Sequence, residues 1–141
     1  MNEFPDTLFL LDEAYYEFSG ITCKDLVLKY DNILISRTMS KAVALANFRV
    51  GYLIGSKENV QFVNRIRNPK NLTTFAQEAA CGALSDTQYM WNYVAEVHKA
   101  KKELMSYLSI YRDEFKVIPS CGNFCMLKFL CYDKKKNLLD D

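Results

Sequence analysis

The chain has 141 residues, of which half are apolar and 25% are charged, so it can bury the core of an ordinary globular domain and does not have the composition of a disordered protein. Eighteen basic and seventeen acidic side chains give a net charge of +1, which excludes the basic surface typical of proteins that bind nucleic acid or anionic membranes. No apolar run approaches the roughly 18 residues of a membrane span, and the first six residues show no secretory signal. We expect a soluble, cytoplasmic protein.

The cysteine pattern indicates reduced thiols and no metal site. The five cysteines are Cys23, Cys81, Cys121, Cys125 and Cys131. Their number is odd, no two of them form a CxxC pair, and His98 is the only histidine in the chain. A cysteine–histidine nucleophile pair has no specific spacing to support it.

Three short apolar runs predict β-strands in the first third of the chain, at residues 7–11, 32–37 and 48–55. The first two runs are unbroken, which is typical of parallel strands that are buried on both faces. A short helical segment is predicted between them, within residues 22–30. The sequence therefore favours an α/β fold.

Helices are predicted after the third strand. Residues 57–67 place apolar side chains at three-residue steps, and Pro69 follows them. A second helix, capped by Thr73 or Thr74, is predicted to run through Leu84. Residues 86–117 contain neither glycine nor proline and predict one long helix, on which Lys99, Lys101 and Lys102 form a solvated face without a partner. Residues 123–130 predict another strand, and the charged tail from Asp133 is expected to fray.

Lys41 is the residue whose setting most clearly suggests chemistry. It follows the second predicted strand, with hydroxyls at Thr38 and Ser40 before it and Arg49 after it. Hydroxyls and a guanidinium can hold a phosphate, and a lysine beside a phosphate-bearing aldehyde can form a Schiff base with it. Taken alone, the two hydroxyls could instead bond the local backbone.

Asp12 and Tyr15 lie at the carboxyl end of the first predicted strand, where open α/β sheets bind their ligands. A carboxylate there can pair with a pyridinium nitrogen and strengthen the ring as an electron sink. The phenol of Tyr15 can bond the 3-oxygen of such a ring, although Tyr16 beside it offers the same group.

These segments resemble the fold-type I, class I and II pyridoxal-phosphate aminotransferases, and in particular their histidinol-phosphate aminotransferase branch. That family has a D-E-A-Y strand end, which residues 12–15 match, and an R-T-x-S-K-A-x-x-L-A-x-x-R-x-G segment, which residues 37–51 match. Residues 67–84 are similar to the linker into the small domain of the branch, and residues 120–124 to one of its small-domain strands. The resemblance extends from Thr7 to about Leu130.

The resemblance implies a role for each matching residue. Lys41 would be the Schiff-base lysine, Asp12 the partner of the pyridine nitrogen and Tyr15 the partner of the 3-oxygen. The phosphate would be held by Thr38, Ser40 and Arg49, and Asn123 would contact the substrate. The implied cofactor is pyridoxal 5′-phosphate and the implied partners are an amino-acid donor, histidinol phosphate, and a 2-oxo acid, 2-oxoglutarate. Members of the family form homodimers.

The resemblance also implies an incomplete enzyme, since family members are longer at both ends. We expect residues 1–85 to be the C-terminal part of the mostly parallel large domain and residues 86–141 to be part of the small α+β domain. The chain would then be a truncated product, a proteolytic fragment or an expressed piece, and inactive by itself. Two alternatives stay open, a non-catalytic remnant that binds no cofactor and a sister-branch enzyme such as an amino-acid phosphate decarboxylase.

Overall fold

The computed structural model describes residues 3–130, which form five strands and four α-helices. The strands are β1 (Phe9–Asp12), β2 (Ile33–Thr38), β3 (Gly51–Gly55), β4 (Phe115–Ile118) and β5 (Met126–Phe129). The helices are α1 (Tyr16–Ser19), α2 (Lys57–Ile66), α3 (Thr74–Ser85) and α4 (Thr87–Leu108). Short 3₁₀ turns occur at Lys24–Leu26, Ala46–Phe48 and Ser109–Tyr111. Cys131 and the predicted fraying tail lie outside the described residues.

The chain divides into two compact units, one ending at Trp91 and one beginning at Asn92, so the boundary falls within α4. In the first unit, β2 lies at the centre of a three-stranded sheet, parallel to β1 and antiparallel to β3. Ile33 and Ile35 of β2 are completely buried. A cluster formed by Met39, Val50, Ala76 and Ala80 packs the end of this sheet against α3. The predicted α/β class is confirmed.

The predicted burial on both faces is correct for β2 but wrong for β1. Leu10 of β1 is 62% exposed while Phe9 and Leu11 are half-buried, so one face of this strand is left open among the described residues. The third strand also begins later than predicted. Residues 46–48 form a 3₁₀ turn, and Arg49 has the left-handed φ of 56°, which a continuous strand cannot contain.

Side-chain hydroxyls cap the first turns of two helices in the first unit. The side chain of Ser56 accepts a hydrogen bond from the Asn59 N–H and caps α2. Thr73, rather than Thr74, caps α3, since its hydroxyl accepts from the Ala76 N–H at 3.1 Å. The bounds of α2 and α3 lie within one residue of those predicted, residues 57–67 and 73–84.

The single long helix predicted for residues 86–117 is wrong in its last third. The helix α4 ends at Leu108, and residues 115–118 form β4, which pairs antiparallel with β5. Near this end the Ser109 hydroxyl donates to the Ser106 carbonyl at 2.6 Å, a side-chain bond that competes with helix continuation. The β-branched and aromatic residues of β4 find their partners in β5, so a distant pairing outweighs the absence of helix breakers.

No helix in the described part of the chain is long and apolar enough to cross a membrane. The cysteines at positions 23, 81, 121 and 125 are free. Within residues 3–130 no group of three or more His, Cys, Asp or Glu side chains could hold a metal ion.

Candidate active site

Asp12 and Tyr15 lie where β1 ends. Asp12 is the last residue of the strand and is exposed, and its Oδ1 accepts from the Ala14 N–H at 3.0 Å and from the Ser36 hydroxyl at 3.5 Å. Tyr15 is half-buried and occupies the N-cap position of α1. Both residues line an open cleft of about 490 Å³ beside β1. The predicted carboxylate and phenol are therefore accessible at the same strand end.

The segment that carries Lys41 is a turn held between β2 and β3. The Met39 N–H donates to Val50 O at 3.0 Å, and the Leu45 N–H donates to Met39 O at 2.9 Å. Ala44 has a φ of 61°, which places its backbone in the left-handed region. Met39 and Val50 are buried, so a packed base supports the half-buried Lys41.

Lys41 and Tyr15 come together in space although 26 positions separate them. The Lys41 Nζ lies 5.4 Å from the centre of the Tyr15 ring, within the range of a cation–π contact. The corresponding cation–π partner of Tyr16 is Arg37, whose guanidinium carbon lies 3.6 Å from the ring centre. The two neighbouring tyrosines are thus distinguished by the structure, and Tyr15 is the one beside Lys41.

The hydroxyls of Thr38 and Ser40 lie 3.0 Å apart. Thr38 Oγ1 also accepts from the Ser40 N–H at 3.1 Å and donates to Val50 O at 3.4 Å, so the local backbone bonds weighed as an alternative are present. The exposed Arg49 donates from Nη1 to Ala46 O at 3.0 Å. Arg49 directly precedes Val50, whose carbonyl accepts a hydrogen bond from the Thr38 hydroxyl, so Arg49 lies near the end of β2 that carries Thr38.

Asn123 lies in the second unit, on the wall of a cleft of about 260 Å³ that Lys101 of α4 also lines. The solvated position predicted for Lys101 is wrong. Its Nζ donates to Ser120 O at 2.6 Å, to Gly122 O at 2.7 Å and to the Ser120 hydroxyl at 3.3 Å. The ammonium therefore holds the loop on which Asn123 lies.

A buried ion pair beside the predicted site residues was not predicted from the sequence. Glu13 Oε2 lies 2.8 Å from Arg37 Nη2, and the two side chains are 8% and 10% exposed. Burial disfavours the charged carboxylate, but hydrogen bonds from the Cys23 N–H, Arg37 and Thr22 outweigh it and hold the pKa of Glu13 below its ordinary value. The sequence held a signal for this pair. Glu13 and Arg37 carry opposite charges and each follows by one position a residue at the end of adjacent parallel strands, Asp12 and Ser36.

Comparison with known proteins decides the family. The model of the family "Aminotransferase class I and II" matches residues 2–141. The chain belongs to the class I and II aminotransferases. The predicted family and its fold-type I architecture are confirmed.

Individual relatives of this aminotransferase chain agree with that assignment. It is 48% identical over 105 residues to a dihydroxyacetone phosphate transaminase of Campylobacter jejuni, covering 74% of this chain and 29% of that protein. It is 36% identical over 124 residues to histidinol-phosphate aminotransferase 1 of Carboxydothermus hydrogenoformans, covering 88% of this chain and 35% of that protein. The chain thus spans about a third of the length of these curated relatives.

One similar solved structure is the histidinol-phosphate aminotransferase of Sinorhizobium meliloti in complex with pyridoxal 5′-phosphate. It has a TM-score of 0.81 and 26% identity, and the match covers 94% of this chain and 36% of that chain. The cofactor predicted from the motifs of this chain is the one bound in that structure.

Proposed function

We propose that this chain carries the lysine segment of a pyridoxal-phosphate-dependent aminotransferase, with Lys41 as the residue that bonds the cofactor covalently. The observation that supports this most is the meeting of Lys41 with Tyr15, 5.4 Å from Nζ to ring centre, at strand ends that also carry Asp12. A lysine, a phenol and a carboxylate are the groups that an aldehyde, a 3-oxygen and a pyridine nitrogen require.

The residues present fit this cofactor. When bound, pyridoxal phosphate supplies an electron sink for the substrate's α-carbon. Asp12 would keep the ring nitrogen protonated, and Tyr15 would bond the 3-oxygen. The hydroxyls of Thr38 and Ser40 can rotate from each other toward a phosphate oxygen, and Arg49 adds positive charge. After release by the substrate, Lys41 would move a proton to and from the substrate's α-carbon.

The proposed reaction is transamination of a small phosphate monoester, with 2-oxoglutarate as the amino acceptor. Histidinol phosphate is the first candidate donor, because several curated relatives carry that name, and Asn123 is proposed as a substrate contact. Dihydroxyacetone phosphate is a second candidate substrate, favoured by the 48% identity to a transaminase named for it. Because it is a ketone, it would receive the amino group, and an amino acid would donate it. A decarboxylase of an amino-acid phosphate and a remnant without cofactor are the alternatives.

The assignment of residues 1–85 to the large domain and residues 86–141 to the small domain is part of the proposal, as is assembly into a homodimer. The family relatives are about two and a half times as long as this chain. We therefore propose that the activity belongs to a longer protein and that this chain alone is inactive.

The proposal is tested by incubating the chain with pyridoxal phosphate, recording the absorbance before and after borohydride, and mapping the reduced peptide. We expect one adduct per chain, at Lys41, and its loss in Lys41→Ala. Lys57→Ala is the matched control, since Lys57 is exposed at the start of α2. Label spread over Lys99, Lys101 and Lys102, or no binding at all, would contradict the proposal and favour the remnant.

A further inference from the structure

The ends of β1 and β2 carry two sets of side chains on opposite faces. Successive residues of a strand point to opposite sides, and Asp12 is paired with Ser36 in the parallel register. Asp12 and Ser36 bond each other on one face, the face that Thr38 also shares by alternation. Glu13 and Arg37, one position later on each strand, bond each other on the opposite face.

The pair on the opposite face is densely bonded. Arg37 donates to the same oxygen, Glu13 Oε2, from Nε at 3.0 Å and from Nη2 at 2.8 Å. The other oxygen, Oε1, accepts from the Cys23 N–H at 2.6 Å. The Thr22 hydroxyl lies between both partners, 2.9 Å from Glu13 Oε2 and 2.9 Å from Arg37 Nη2. Every polar atom of this carboxylate is therefore directed by the fold.

The same guanidinium also reaches the first turn of α1. It lies 3.6 Å from the centre of the Tyr16 ring, and the Tyr16 N–H donates to Glu13 O at 3.0 Å. Along the chain, Tyr15 lies between these two anchored residues, Glu13 and Tyr16. The backbone that presents the Tyr15 phenol is thus fixed from β2 through Arg37.

We propose that Glu13 and Arg37 are positioning residues for the cofactor, which fix Asp12 and Tyr15 against Thr38, Ser40 and Lys41. This inference rests on the proposed function. If a strand slips by one residue, the side chains of its two faces exchange places. The bond between Glu13 and Arg37 forms in the register that pairs Asp12 with Ser36. The ion pair therefore keeps the cofactor-facing groups of both strands on the same side of the sheet. Glu13 and Arg37 act through these neighbours and do not themselves contact the cofactor.

The experiment measures the affinity for pyridoxal phosphate and the pH dependence of the absorbance of the bound cofactor. Glu13→Gln and Arg37→Met should each weaken the affinity at least tenfold while far-UV circular dichroism keeps the folded signal. The pH at which the absorbance changes should also shift, since the proton balance of the bound ring depends on Asp12 and Tyr15. A residue that only stabilised the fold would leave that pH unchanged in the folded variant.

Glu58→Gln is the control, because Glu58 is an exposed carboxylate in the first turn of α2, outside the Glu13–Arg37 pair. We expect less than a twofold change in its affinity. Thr22→Val and Thr22→Ser form a milder second pair for the case that the ion-pair variants do not fold. The valine should weaken the affinity several-fold, and the serine, which keeps the hydroxyl, should restore it.

The outcomes separate the inference from the proposed function. Failure of the unaltered chain to bind pyridoxal phosphate at Lys41 would overturn both. Binding at Lys41 with unchanged affinity and pH dependence in folded Glu13→Gln, or in Thr22→Val where Glu13→Gln does not fold, would overturn the positioning role alone. Weaker affinity and a shifted pH dependence in these variants, with Glu58→Gln unchanged, would support it.

Discussion

Replacing Lys101 by methionine should release the loop at residues 120–124 without unfolding the chain. Methionine keeps the length and apolar stem of the lysine but removes the ammonium that bonds Ser120 O at 2.6 Å and Gly122 O at 2.7 Å. Each hydrogen bond from a charged group contributes about 1.5–3 kcal/mol when it is buried. Lys101 is only half-buried, so we take the two short bonds together as about 2–4 kcal/mol.

This free energy translates directly into amide exchange. Since 1.4 kcal/mol corresponds to a factor of ten, local opening of the loop should become about 30- to 700-fold more frequent. Hydrogen–deuterium exchange, read by mass spectrometry on peptides that contain residues 120–124, measures the opening. The Gly122 N–H, which bonds the Ser120 hydroxyl at 3.2 Å, is the amide expected to lose protection.

Lys102→Met is the matched control, because Lys102 is the exposed neighbour on the same helix. It should change the exchange of the loop by less than about twofold, far below the effect expected for Lys101→Met. Equal exchange in the two variants would show that the bonds of Lys101 do not hold the loop. Global unfolding of Lys101→Met would show that the contribution is larger and less local than we calculate.

Two further predictions concern Glu13 and Asp12 of the first unit, and a third concerns the turnover of the chain by itself. Because the pKa of Glu13 is lowered on folding, the stabilisation by its ionised form is present above its ordinary pKa of 4.5 and is lost as the pH falls through the lowered value. The free energy of unfolding of Glu13→Gln should therefore be about 3 kcal/mol lower than that of the unaltered chain at pH 7. Denaturation measured at a series of pH values should show this difference shrinking below pH 4.5. A difference that stays constant with pH would contradict the charge-based reasoning. In any longer version of the chain that has the proposed activity, Asp12→Ala should reduce single-turnover transamination about 100-fold or more and cofactor affinity much less. The exposed Asp25→Ala is the control, and equal rates for Asp12→Ala and the unaltered protein would refute the pyridine role. Finally, this chain by itself should show no appreciable turnover with histidinol phosphate and 2-oxoglutarate at saturating pyridoxal phosphate. Poor orientation of the substrate can forfeit on the order of 7 kcal/mol of the reduction in the activation barrier. Turnover within tenfold of a full-length relative would mean that about a third of the relatives' length is sufficient.

The sequence predicts those features that depend on near neighbours. The strand at residues 32–37, the cap at Thr73 and the placing of Asp12 at a strand end all follow from local apolar patterns and turn chemistry. That Lys41 and Tyr15 belong to one site is implied only by the resemblance to the family. A separation of 26 residues gives no local signal that two side chains lie close together.

Features that depend on distant partners were missed. The helix predicted through Val117 ends early because β5 supplies a strand partner, which no property of residues 109–117 announces. Lys101 looked like its neighbours Lys99 and Lys102, and only the loop 19 positions away distinguishes it. A lysine on an amphipathic helix is read as solvated unless the fold brings carbonyl groups to its end.

The turn that carries Lys41 has two residues, Ala44 and Arg49, in a backbone conformation that their own side chains disfavour, with φ of 61° and 56°. Such a turn exists only because Met39 and Val50 are anchored in the packed base below it. A synthetic peptide of residues 36–51 would therefore relax to other shapes and would not reproduce the lysine's presentation. An antibody raised against that peptide would recognise unfolded chains better than native ones.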